Sequence, residues 1–458
     1  MKSRKSEIHS KVHAIPQLQF EAQNLTAYSG LVIFQALFQN LNLKTKLASC
    51  FDHMKGSPIF GHHVVFLFLV VHLLLGFRRI RERDYYHEDP LVRRTLGLYK
   101  IPDVSTITRS MAEMDARSFV KTRNLIQDTV VERLVKENFR RITLDFDGSV
   151  LSTNRKAEGS AVGYNKKKKG ARSYYPLFCT VAQTGQFFDF RHRAGNVHDS
   201  NGADKLMRHC FRDLRKAMPN VLIESRMDSA FFNDVYLEML DEENIEFTAS
   251  VPFERFAELK MIVESRARWI SIDDKWSYFE SEWKPKSWDK KYRFIFIRQL
   301  VPNQRKGPLQ LDLFEPRDHE YEYKVIVTNK KEKTKSVLQF HNGRGSQEGI
   351  FAQAKTQTQL DYTPTNSLNG NRIFTAAVIM THNLTRELQM SVQQSQRSTT
   401  AKRAACWIFE SLGTIRNTLI HRAGRLTTPQ GKLTLTLNAN EKVQQEFENY
   451  LSVLNLAA

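Results

Sequence analysis

The chain has 458 residues, 41% hydrophobic and 26% charged, which is enough to bury a full core and excludes a disordered protein. Lys and Arg number 68 against 49 Asp and Glu, so the formal charge is +19, and the pI near 9.7 points to a polyanionic partner, nucleic acid first. Cys50, Cys179, Cys210 and Cys406 stand far apart with no CxxC or Cys/His spacing, which argues against a disulfide framework and a zinc motif and suits a reducing cytosol.

The start, MKSRKSEIHSK, is basic but runs into no apolar stretch with a cleavage site, so no signal peptide is expected. Up to about residue 135 apolar residues recur at spacings of three and four, in LVIFQALFQNL, HHVVFLFLVVHLLLGF and ARSFVKTRNLIQDTVVERLVKENF, and predict helices. The second of these is shorter than the roughly 20 residues a membrane span needs, and His72 interrupts it, so it reads as a buried helix. In LGLYKIPDVSTITRSMAEM a turn at Pro102-Asp103 precedes Ser105, a plausible N-cap, and then Thr106, Thr108 and Arg109 on exposed faces. Two helices that merely pack would look the same. The basic setting favours a helix-turn-helix, because Thr and Arg reach both phosphates and base edges.

From residue 140 the pattern becomes strand-like: RITLDFDGSVLS, YYPLFCTVAQ and QFFDFRHR, then a helix GADKLMRHCFRDLRKAM, a strand NVLIESRMD and another, EFTASVP. Three strands followed by helix and strand predict an α/β or α+β sheet with an antiparallel start. Residues 255–320 hold Trp269, Trp276, Trp283 and Trp288, many lysines and short strands, and read as a β-rich insertion. YEYKVIVTN resumes the sheet. Residues 342–360, FTAAVIMTHNL, CWIFESLGTI and EKVQQEFENYLSVL read as helices.

Acids stand out at three places. On a strand, Asp145 and Asp147 share a face while Leu144 and Phe146 enter the opposite layer. Two like charges on one face repel unless a cation lies near, and Mg²⁺ is held by one or two carboxylates together with substrate phosphates. A solvated strand end is the ordinary alternative; Gly148 weakens it by allowing close approach. Asp228 ends the strand in VLIESRMDSAFF, and by itself says little. In FHNGRGSQEGIFAQAK, Arg344, Glu348, Phe351 and Lys355 share one face if the stretch is helical, a combination foreign to a buried core face. An exposed salt-bridged helix would also account for it.

In these contexts, LDFDGS, SRMDSAFF and HNGRGSQEGIFAQAK, the acids resemble those of the DDE transposases of bacterial insertion sequences, in the branch whose third motif is Tyr-x2-Arg-x3-Glu-x6-Lys. Here that motif reads His341, Arg344, Glu348 and Lys355, with histidine in place of tyrosine. DPLVRRTLGLYKIPDVSTITR and HRAGNVHDSNG resemble the same group, and the likeness runs from about residue 80 to 425. The resemblance implies a ribonuclease-H-like mixed sheet with flanking helices, a β-rich insertion between the second and third acids, and a helical N-terminal domain. The corresponding limits are 1–135 for a helical DNA-binding domain, 136–254 and 321–390 for the two parts of the catalytic domain, 255–320 for the insertion and 391–458 for a helical C-terminal region.

It also implies Asp147, Asp228 and Glu348 as catalytic metal ligands. The family's first Asp precedes a small residue and then Ser or Thr, which matches Asp147; Asp145 is the runner-up or a support from the same face. Two Mg²⁺ ions, with Mn²⁺ able to substitute, would serve phosphoryl transfer on DNA. Arg344, Lys355 and His341, the basic run Lys166, Lys167, Lys168, Lys169 and Arg172, and Thr106 with Arg109 are the expected DNA contacts. The expected partners are the element's terminal inverted repeats and target DNA, with no membrane, a homodimer in the synaptic complex, and action in the bacterial cytoplasm at the nucleoid. A stand-alone nuclease on the same fold, or a non-catalytic DNA-binding descendant, are the alternatives; the presence of all three acids argues against the second.

Overall fold

The structure, a computed structural model, describes residues 15–57, 59–153, 157–163, 165, 168–301 and 321–454. After a short strand β1 (Leu25–Thr26), α1 (Leu31–Asn40) buries Leu31, Ile33, Phe34, Leu37 and Phe38, the residues that its three-and-four spacing puts on one side. α2 (Leu43–Cys50) leads to α3 (His62–Leu74), the long apolar run. It is buried on nearly every side, and no described helix is long and apolar enough to cross a membrane. α4 (Pro90–Leu96) begins where Asp89 accepts from the Leu91 and Val92 amides and stops at left-handed Gly97. α5 (Val104–Glu113) starts from Asp103, so Ser105 lies inside its first turn rather than capping it. α6 (Ala116–Glu137) is capped by Asp115, which accepts from the Ser118 amide.

The sheet follows. β2 (Arg141–Gly148), β3 (Leu151–Ser152), β4 (Ala161–Val162), β5 (Arg172–Tyr174), β6 (Leu177–Val181) and β7 (Gln186–Arg191) precede α7 (Ala203–Ala217), β8 (Leu222–Met227), α8 (Asp234–Glu242) and β9 (Glu246–Ser250). In space the order is β7-β6-β2-β8-β9. The β7–β6 and β6–β2 pairs are antiparallel, and β2–β8 and β8–β9 are parallel. That is the ribonuclease-H-like sheet expected above, while β3, β5 and β4 form a small sheet of their own.

α9 (Ala257–Glu264), β10 (Ile270–Ser271), β11 (Trp276–Trp283) and β12 (Tyr292–Leu300) come next, then β13 (Tyr321–Thr328). The insertion is strand-rich as expected but not a separate layer. β12 pairs with β13 and β13 with β9, so the whole forms one nine-stranded sheet. Trp269, Trp283 and Trp288 pack on Phe279, Phe294 and Phe232, the core role that large aromatic side chains usually take.

α10 (Thr334–Asn342) is a further helix, separated at Gly343 from α11 (Gly345–Gln357), which fills the helical run expected over 342–360. α12 (Leu368–Val392) is buried almost all round, and its polar residues are used. β7 is a sheet edge, and Asn383 serves its outward backbone: Oδ1 accepts from the Phe187 amide at 2.9 Å and Nδ2 donates to the Phe187 carbonyl at 2.7 Å. Glu387 accepts from Arg133 Nε at 2.9 Å, tying α12 to α6.

Beyond α12 the structure corrects the reading. Residues 406–410 of CWIFE are not helical; Trp407 Nε1 donates to the Gln393 carbonyl at 3.0 Å, and the ring packs edge-on to Phe139. Helix resumes only at α13 (Leu412–Ile415) and a π-helical turn, Arg416–Ile420. β14 (Gly424–Thr427) and β15 (Thr434–Leu437) then form a hairpin joined by β1, and α14 (Glu441–Val453) ends the described chain. The C-terminal region is thus helix and hairpin together.

One core lies on the α7–α8–α9 side of the sheet and includes Ile142, Leu144 and Phe146. The other joins α1 to α6 with α12 and the C-terminal residues Leu419, Leu426 and Phe447 in one apolar cluster. The described residues up to 135 therefore share their core with the rest of the chain. A fragment ending at residue 135 is expected to show no cooperative thermal transition and to bind a hydrophobic dye, whereas the full chain melts cooperatively; calorimetry of the two checks this.

Candidate active site

The site grows from the register of two parallel strands. Asp145 on β2 pairs with Arg226 on β8, and side chains two residues apart share a face. Two residues further on, Asp147 near the end of β2 and Asp228 just beyond β8 come together on that face, while Leu144 and Phe146 enter the core behind. Asp228 Oδ1 accepts from the Ala230 amide at 3.0 Å, which holds the turn after β8. Asp147 Oδ1 accepts from the Gly148 amide at 2.8 Å.

A third carboxylate comes from a loop. One oxygen each of Asp147, Asp199 and Asp228 lie within 4.8 Å of one another. The Tyr175 hydroxyl donates to Asp199 Oδ2 at 2.7 Å, and Arg193 donates to the His198 and Asp199 carbonyls at 3.1 and 3.0 Å, which fixes the loop. A Cβ at Gly148 would stand 2.2 Å from Asp199 Oδ1 and 2.6 Å from the Tyr175 ring, so only glycine lets the loop approach β2. Sequence reasoning reached HRAGNVHDSNG but did not single out Asp199. An acid on a loop has no alternation to mark it, and only its place before Ser-Asn-Gly hinted at a turn.

Electrostatics follow from the crowding. Burial raises the Asp147 carboxyl, the Asp228 carboxylate raises it further, and Arg344 opposes them, leaving it at about 7. Burial also raises Asp199. Arg344 Nη1 lies 3.5 Å from Asp147 Oδ2.

Asp145 is different. It is 1% exposed, and Arg226 grips both its oxygens at 2.7 and 2.5 Å, so its charge is spent on a guanidinium and the reading of Asp145 as a metal ligand is corrected. Its carbonyl accepts from Gln347 Nε2 at 2.9 Å, which draws α11 onto β2. Glu348, the next residue, is exposed on the first turn of α11, one turn from Arg344, and stands outside the three-acid cluster. Lys355 is half-buried two turns further along, and Phe351 turns into the core against Phe178.

His341 is corrected as a DNA contact. It is 2% exposed, with Nδ1 at 3.0 Å from Thr248 Oγ1 and Nε2 at 3.0 Å from Ser250 Oγ, and burial keeps the ring neutral. In the basic loop Lys168, Lys169 and Arg172 are exposed, although Arg172 Nε also donates to Ser160 Oγ at 3.1 Å; Lys166 and Lys167 lie outside the described residues. On α5 Arg109 is exposed and Thr106 half-buried, while Ile107, Ser110 and Met111 face inward. A second acidic group, Glu224, Glu246 and Glu332, is neutralised by the protein itself. Glu224 meets Arg141, Lys330 and Arg403, and against the effect of burial Arg403 and Lys330 hold its carboxyl down at about 2.

A ribonuclease-H-like sheet that gathers acids at the ends of its first and fourth strands defines the class of metal-dependent phosphoryl-transfer enzymes acting on nucleic acid. The family described as transposase DDE domain group 1 matches residues 13–458, and the chain belongs to it: it is a DDE transposase, which cleaves DNA and transfers strands with divalent metal. Among solved structures it aligns with a piggyBac transposase synaptic complex with hairpin DNA, at 12% identity over 86% of this chain and 80% of that one, with a TM-score of 0.40. It aligns with a Mos1 transposase paired-end complex with left transposon end at 11% identity, over 43% of this chain and 60% of that one, with a TM-score of 0.17. No curated protein gives a significant match.

The raised Asp147 carboxyl makes the metal-free protein pH-sensitive. Between the ordinary carboxylate range near 3.8 and the folded value of about 7 the native state holds a proton that the unfolded chain has released, so stability falls as pH rises through that window. Melting temperatures measured in chelator from pH 4 to 8 should fall less steeply for Asp147→Asn than for the unaltered chain. Gly148→Ala should lower stability by about 1–3 kcal/mol, through overpacking against Tyr175 and Asp199, as read by urea unfolding.

Proposed function

We propose that Asp147 and Asp228, with Asp199 beside them and Glu348 approaching from α11, hold two Mg²⁺ ions, or Mn²⁺ in their place, for cleavage and strand transfer at the element's terminal inverted repeats. The observation that carries this reading is the in-register meeting of Asp147 and Asp228 at the ends of parallel neighbours. The donor set fits a hard divalent cation, since every candidate ligand is a carboxylate oxygen. Burial first, and then the Asp228 carboxylate beside it, raise the Asp147 carboxyl, and a bound cation would favour its charged form against both. When bound, the ions activate the attacking oxygen and stabilise the leaving one.

The chain's own residues do the positioning. Arg344, beside Asp147, offers a fork to a phosphate brought to the acids, and Lys355 adds a point charge further along α11. Lys168 and Lys169 from the loop before β5, and Arg172 at its first position, bind backbone, with Lys166 and Lys167 contributing to the same basic run. Arg109 and Thr106 on α5 touch the terminal repeat, and two copies of the chain synapse a pair of ends. Asp145 supports the site without holding metal.

Single-turnover cleavage of end-bearing DNA tests the assignment. Asp147→Asn, Asp228→Asn and Glu348→Gln should each lower the rate by about 10²–10³ or more while end binding stays within about twofold. Asp199→Asn should fall between these variants and the unaltered chain. Full activity of Asp147→Asn would sink the assignment. Arg344→Gln should weaken end binding and flatten the slope of log K against log salt by about one.

A further inference from the structure

Among the described residues Arg226 heads the fully buried side chains by volume, and a cation that deep needs a reason. Four hydrogen bonds engage all three of its nitrogens. Nε and Nη2 take the two oxygens of Asp145 at 2.7 and 2.5 Å, and Nη1 donates to the Phe340 carbonyl at 3.2 Å and the Lys402 carbonyl at 2.9 Å. The guanidinium also sits over the Phe340 ring, 5.3 Å from its centroid.

Asp145 and Phe340 among those partners, like Arg226 itself, belong to segments that lead to the proposed acids. Asp145 is two residues before Asp147 on β2, and Arg226 itself is two residues before Asp228 on β8. Phe340 lies in the last turn of α10, just before the break that leads to Arg344 and Glu348. Lys402 belongs to the strap between α12 and α13, and its neighbour Arg403 is anchored on Glu224, Nε to Oε2 at 2.8 Å. At the crossing a Cβ on Gly343 would stand 2.0 Å from the Lys402 carbonyl and 2.2 Å from Arg226 Nη1. Its φ of −61° is open to any residue, so glycine is needed there for space alone.

We propose that Arg226 is the positioning residue of the acid site: one planar fork sets β2, β8 and the α10–α11 turn at a fixed spacing and thereby sets the metal-holding geometry without touching DNA or metal. A fork is suited to this because it binds a carboxylate in plane and directs its remaining N–H groups at fixed angles. Lysine would keep the charge and lose the angles. Groups that hold ligands in place typically govern metal affinity by about 10–100-fold. The proposal rests on Asp147 and Asp228 being ligands.

The test uses the full chain bound to end DNA, with Arg226→Lys and the neutral pair Arg226→Gln with Asp145→Asn, each checked for a cooperative melt. Mn²⁺ binding, followed by the loss of the free-ion magnetic resonance signal, should weaken about tenfold or more in both. End-DNA affinity should hold within about twofold, and half-saturating Mg²⁺ for cleavage should rise in step. Asp147→Asn is the control. If it leaves Mn²⁺ binding intact, the ligand assignment fails rather than the role of Arg226. If it abolishes binding while the folded Arg226 variants bind Mn²⁺ as the unaltered chain does, the proposal is overturned. Failure of both variants to fold would assign Arg226 to stability and overturn it as well.

Discussion

The structure depends on a charge row that runs along one face of β2 and β8, with the buried pair of Arg226 and Asp145 at its centre. At the first level Glu224 is met by Arg141, Lys330 and Arg403. At the second, Asp145 and Arg226 neutralise one another with bidentate geometry. At the third, Asp147 and Asp228 face each other, and among the described residues the ion pair recorded for either is Arg344 at 3.5 Å. Compensation therefore declines toward the strand ends, and the least compensated level is the one that opens outward. Burying an ion pair costs several kcal/mol per ion in lost hydration, which only good geometry offsets, and removing one partner costs about 3–5 kcal/mol. The two inner levels meet that condition. The outer one has Arg344 beside Asp147 at 3.5 Å and no bidentate partner among the described residues.

The rest of the fold keeps this row in place. Extending the sheet through β13, β12 and β11 moves one edge far from the acids, and α12 closes the other by using Asn383 as a substitute strand. The helices of the first 135 residues pack on α12 and the C-terminal segment, so the shell around the site is one body with a continuous core. Asp199 reaches the acids only because Gly148 has no side chain, and the strap reaches Arg226 only because Gly343 has none. Both are contacts between segments far apart in the chain.

Much of this was legible in the sequence wherever a local period carried it. Apolar spacing marks α1, α3, α6 and α12, and alternation marks β2 and β8 with the acids at their ends. The preference for Asp147 over Asp145 came from the family resemblance, whose first Asp precedes a small residue and Ser or Thr; in the structure Asp145 pairs with Arg226. Misreadings fall where no period operates. CWIFE has apolar residues at helical spacing, but Trp407 anchors it as an extended strap. The β14–β15 hairpin is short and Thr-rich, with little apolar contrast between its faces. His341 occupies a motif position but points at Thr248 and Ser250, because α10 ends with that side on the sheet.

By itself the sequence determined the elements, the basic charge and the ordered acids in contexts that resemble DDE transposases, because strand alternation, helix periodicity and composition act over a few residues. Which acid answers to which cation was decided only by tertiary structure. Asp145, Asp147, Glu224 and Asp228 are alike as carboxylates, and their roles separate only when β2 and β8 lie in parallel register and Arg226, Arg403 and Lys330 arrive from distant segments. Burial and neighbouring charge set the state of each carboxylate, and neither exists until the chain has folded.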